Sequence, residues 1–94
     1  MITIASSKQK MGMRQSVRAA TRFGTKAYEL LKQVKHPQRS RRRVGEYRNQ
    51  MTNAMQRLRE LIRKANLYGV RIGVRNIEAQ LRAWQRFLDT TRLP

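Results

Sequence analysis

The chain contains no cysteine. Disulfides and cysteine-bound zinc are thereby excluded, and redox chemistry gives no indication of compartment. Acid is nearly as scarce. The five carboxylates, Glu29, Glu46, Glu60, Glu78 and Asp89, are scattered along the chain with no close pair. The one histidine, His36, stands next to Pro37 in a segment that reads as loop, a poor basis for a metal site. No serine–histidine–acid set can be argued from spacing, and no Walker loop or glycine-rich phosphate cradle is present. Catalytic residues, a metal and a cofactor are therefore not expected, and the chain does not read as an enzyme. No apolar run approaches the roughly 20 residues that cross a bilayer, so no transmembrane segment is expected. A secretory signal with an apolar centre is likewise missing. Aromatics number six, and no two of them suggest a platform for stacked bases.

What is present is positive charge. Ninety-four residues make one small domain, 39% apolar, with 22 Lys and Arg against 5 acids and a net charge of +17. Sixteen of the 22 are arginine. Guanidinium groups form forked contacts with phosphate or carboxylate, whereas ammonium groups act as point charges. Self-repulsion at this density disfavours a compact free monomer, which points to a polyanionic or strongly acidic partner. Before Glu29 the chain is rich in Ser, Thr, Ala, Arg and Lys, in the manner of a mitochondrial targeting sequence. That stretch reads equally as an uncleaved address or as a basic structural helix.

Periodicity predicts an all-α fold. Residues 1–13 lack a sustained repeat and read as an extended basic tail, with a short helical turn as the alternative, ahead of a single helical domain over 14–94. Over residues 14–35, Val17, Ala20, Phe23, Gly24, Ala27, Leu31 and Val34 recur at steps of three and four, forming one apolar face. Arg14, Arg18, Arg22 and Lys26 gather on the opposite side, where like charges four apart repel. Pro37 ends this helix by biasing His36 away from helical geometry.

A second helix is predicted over residues 41–67. Val44, Tyr47, Met51, Met55, Leu58, Ile62 and Ala65 form its stripe, Glu60 and Lys64 are spaced to pair, and Gly69 closes the end. In "YGVRIGVR", residues 68–75, period two suggests extended chain, but a lone strand has no mate. A loop tucking its apolar side chains under the helices is preferred, its two glycines allowing close approach and Arg71 and Arg75 alternating with the apolar residues. Asn76 suits the cap of a third helix over 77–90, with Ile77, Leu81, Trp84 and Leu88 on one stripe. A helical hairpin or three-helix bundle is the economical architecture. Phe23, Tyr47 and Trp84 are expected in the core.

The segment "HPQRSRRRVGEYR", residues 36–48, poses the sharpest question: it holds five arginines and one acid. If Ser40 caps the second helix, Arg41, Arg42 and Arg43 fill a first turn where unpaired N–H groups already present positive charge. Each cation there costs on the order of 0.3–1 kcal/mol, and Glu46 offsets one at most. A helix start is a natural anion site, and arginines add forked donors to it. The stretch, with Arg39, reads as a phosphate-binding elbow between the first two helices. Two alternatives stand beside it: a basic loop with the helix starting only at Val44, and a nuclear localisation run.

These features favour a structural RNA-binding subunit of a large ribonucleoprotein, such as a mitochondrial ribosome, contacting rRNA and neighbouring protein subunits. Such a subunit neutralises backbone phosphates and reads shape more than sequence. Arg39, Arg41, Arg42 and Arg43, the stripe Arg14, Arg18, Arg22 and Lys26, and Arg71 with Arg75 are the expected contacts. A DNA-binding nucleoid or phage protein is a further class, but no helix-turn-helix signature is present. A third comes from likeness. "TKAYELLKQVKHP", residues 25–37, resembles the entry helix of LYR-motif proteins, small basic three-helix mitochondrial subunits, with Tyr28 at the tyrosine, Ala27 for the leucine and Glu29 for the arginine. "IEAQLRAWQRF", residues 77–87, is similar to the last helix of the members found in respiratory complex I. The resemblance implies a three-helix antiparallel fold that docks an acidic acyl carrier protein, on the matrix side of mitochondria. An RNA subunit is expected to string out its helices, and an LYR-type subunit to close them around an apolar tunnel.

Overall fold

The structure, a computed structural model, describes residues 6–37 and 39–90. It is all-α: α1 (Ser7–Lys32), α2 (Arg41–Tyr68) and α3 (Val74–Thr90). α1 and α2 form an antiparallel hairpin, and α3 folds back along it. Trp84 meets Gly24, Phe87 meets Tyr28, and Arg48 donates to the Leu88 carbonyl at 3.1 Å, so α3 runs parallel to α1. The particle is long and thin, 52 × 20 × 17 Å.

Small residues on α1 set how closely the helices approach. Ala20, Gly24 and Ala27 are buried, and Ala54 faces them from α2. A Cβ on Gly24 would lie 2.5 Å from the Trp84 ring and 3.0 Å from the Ala54 methyl. Glycine therefore provides the notch into which the indole fits. Met51, Met55 and Leu58 are the largest fully buried side chains, and each contributes roughly 1.5–3 kcal/mol by leaving water. The space between the helices is filled by these side chains and the indole. Tyr28 and Phe87 add an edge-to-face contact, centroids 4.7 Å apart at 72°.

Several boundaries differ from the periodicity. α1 starts at Ser7, so residues 7–13 of the expected tail are helical, and residues 1–5 lie outside those described. The cause is a capping box: Gln9 N–H donates to Ser6 Oγ at 3.2 Å, and Ser6 N–H donates to Gln9 Oε1 at 2.9 Å. Met13 then packs against Ala65 and Val70. α1 stops at Lys32, not residue 35. The Val34 N–H bonds to Leu31 O at 3.3 Å in a tightened final turn.

α3 begins at Val74, three residues before the expected start, and Asn76 lies inside it. Gly73, with φ +73°, turns the chain and accepts at its carbonyl from Ile77 N–H at 3.1 Å. Gly69 does close α2, at φ +66°. The loop tucks as expected, with Val70 buried and Ile72 half-buried.

One core assignment fails. Trp84 is buried and Tyr47 is half-buried against the core, but Phe23 is 48% exposed. It sits on the edge of the α1 stripe, over the side of the α1–α2 groove that α3 does not cover, against Asn53 and Arg57. The three helices close on one another instead of stringing out as expected of an RNA subunit, but Met51, Met55, Leu58 and Trp84 fill the space between them, where the LYR-type alternative expects an apolar tunnel.

Candidate nucleic-acid interface

The elbow forms because two local preferences meet. Pro37 keeps His36 out of helical geometry beyond the end of α1, and the Arg39 and Ser40 N–H groups each donate to His36 O at 3.1 Å. α2 starts right after Ser40, whose carbonyl accepts from Val44 N–H at 2.9 Å. Ser40 thus stands in the cap position. Its side chain makes no capping hydrogen bond, so it leaves the first-turn donors of α2 without the partner a capped helix provides. Arg41, Arg42 and Arg43 occupy that turn, and all three are exposed.

Opposing charge at the elbow is thin. Arg42 Nε lies 3.7 Å from Glu46 Oε1, one turn on, with side chains 95% and 58% exposed. A pair so open to solvent is screened and holds neither group firmly. Arg43 lines a shallow depression with Gln33, Lys35, His36, Ser40 and Tyr47. Lys35 and His36 were not among the expected contacts. Their signal was the adjacency of both residues to Pro37, since the turn it forces swings them against the start of α2.

The other expected contacts lie elsewhere. Arg14, Arg18, Arg22 and Lys26 are exposed along the outer side of α1, four residues and one turn apart. At the far end, Arg14 Nε donates weakly to Arg71 O at 3.4 Å, and Arg14, Arg18 and Arg71 border a second depression over Val17 and Ile72. Arg75 is exposed in the first turn of α3. The structure therefore brings Arg14, Arg18 and Arg71 together, and groups Arg39, Arg41, Arg42 and Arg43 at the elbow. It holds the two sets apart by the length of α2, 28 residues, about 42 Å at 1.5 Å per residue.

Charge is also distributed unevenly between helices. α1 carries seven Lys and Arg against Glu29 alone, whereas α3 sets Arg75, Arg82 and Arg86 against Glu78 and Asp89. α2 sets eight Lys and Arg against Glu46 and Glu60, so the potential is strongly positive along α1 and α2, most concentrated at the elbow, and weakest over α3. Such a surface attracts a polyanion and orients it. No family model, curated protein or solved structure matches the chain.

Proposed function

We propose that the chain is a structural, non-catalytic RNA-binding subunit of a large ribonucleoprotein, a mitochondrial ribosome, in which arginine-rich surfaces neutralise rRNA phosphates beside neighbouring protein subunits. The observation that carries this reading is the elbow: three exposed arginines in the first turn of a helix whose cap side chain is disengaged, with one loosely held acid nearby. A phosphate there satisfies main-chain donors, the helix dipole and guanidinium forks together. Arginine in place of lysine favours the forked geometry. The matrix location is supported by the acid-free basic stretch before Glu29. The test is binding of the full chain to a structured RNA at several salt concentrations. At about 0.7–0.9 per phosphate contact, six or more contacts give a slope of log affinity on log salt near −5. A slope shallower than −2 contradicts the proposal.

A second reading rests on the closure of the three helices and on Tyr28 packing edge-on to Phe87 of α3. It is an LYR-like accessory subunit of a respiratory complex that docks acyl carrier protein on its basic face. Co-purification with acyl carrier protein, together with RNA affinity that is weak at all salts, would favour it.

A further inference from the structure

We infer that the RNA partner is a single duplex segment lying along α1 and gripped at both ends, by the elbow and by the Arg14–Arg18–Arg71 cluster. The inference rests on the RNA reading and adds the form of the RNA and its footprint. Two basic clusters stand about 42 Å apart along a rod whose longest dimension is 52 Å. No single phosphate, flipped nucleotide or tight loop reaches both. A duplex with about 3 Å of rise per base pair covers that distance in roughly 12–16 base pairs.

Arg22 and Lys26 bridge the interval, exposed on α1 and about 6 Å apart along its axis. They stand on the convex surface of a helix, which suits a wide, shallow groove with phosphates on its rims. A single strand is disfavoured because it binds by stacking successive bases on aromatic rings. Here Trp84 is buried, Tyr28, Tyr47, Tyr68 and Phe87 are half-buried, and Phe23 is the one ring left exposed among the described residues. Charge favours α1 over α3, which presents Glu78 and Asp89 among its arginines, and over α2, which carries no Lys or Arg between Arg48 and Arg57. α3 then faces away from the RNA.

The test uses the full chain with blunt RNA duplexes of 8, 16 and 24 base pairs and a 16-nucleotide single strand, titrated at several salt concentrations. The 16-base-pair duplex is expected to bind one per chain, at least tenfold tighter than the 8-mer. Its salt slope should be steeper by about two to three, the yield of three added arginine contacts, with no further steepening at 24. The Arg14→Ala, Arg18→Ala, Arg71→Ala triple variant should keep the 8-mer slope and lose the gain at 16. All three side chains are exposed, so the fold should persist, as circular dichroism checks. Equal slopes at 8 and 16 base pairs, two 16-mers per chain, or tighter binding of the single strand each overturn the duplex footprint while leaving RNA binding intact. Failure to bind any of the four RNAs overturns the RNA reading itself.

Discussion

Alanine in place of Arg41, Arg42 and Arg43 together should flatten the salt dependence of RNA affinity by about two to three units of log–log slope. Each guanidinium that contacts a phosphate releases counterions when it binds. Removing it removes that release along with the contact, and the loss appears in the slope as well as the affinity. The same variant should melt a few degrees higher than the wild type. Alanine is the better helix former, and the first turn of α2 sheds three cations that its dipole disfavours. Weaker RNA binding with greater thermal stability is what a surface shaped for a ligand predicts. A variant that binds RNA with the parental slope would remove the elbow from the interface. One that melts lower would show that these arginines stabilise the free fold.

Trp84→Ala should cost about 3–5 kcal/mol of unfolding free energy, read by urea or thermal denaturation. The indole is 2% exposed and fills the notch between Gly24 and Ala54, and neither of those residues has side-chain atoms that could move into the void. For a 94-residue domain this is a large share of total stability, so the melting temperature should fall by more than about 10 °C. Phe23→Ala is the matched comparison. Its ring is half exposed over the open side of the hairpin and should cost under about 1 kcal/mol. If the two substitutions cost the same, the packing described for α3 is wrong.

The helical class and the faces of all three helices were legible from spacing, because burial enforces the same three-and-four steps that the sequence displays. Val44, Met51, Met55, Leu58, Ala65, Ile77, Leu81, Trp84 and Leu88 are each buried on the stripe where they were expected. The misplaced starts had local causes that periodicity does not report. Ser6 and Gln9 carry the three-residue spacing of a capping box, a legible signal that the weak repeat over residues 1–13 obscured. Gly73 starts α3 through a left-handed backbone angle, which the period-two pattern over residues 68–75 did not report. Phe23 lay on the right stripe but at its edge, and its exposure depends on which side of the hairpin α3 covers, a tertiary fact.

The candidate interface was legible in its residues and not in its layout. Net charge and arginine bias mark which groups seek anions, but only the antiparallel return of α2 separates the elbow from Arg71 and brings Arg71 to Arg14. Lys35 and His36 join the elbow through the turn at Pro37, which composition alone does not reveal.

The most direct measurement is ultraviolet crosslinking of the native assembled particle, followed by mass spectrometry of the peptide covering residues 33–48. The elbow account predicts nucleotide adducts on this segment, with Tyr47 and His36 the photoreactive side chains beside Arg43. Its contradiction is an elbow without adducts whose arginines, in the intact particle, react with a water-borne guanidine reagent as readily as in the isolated chain.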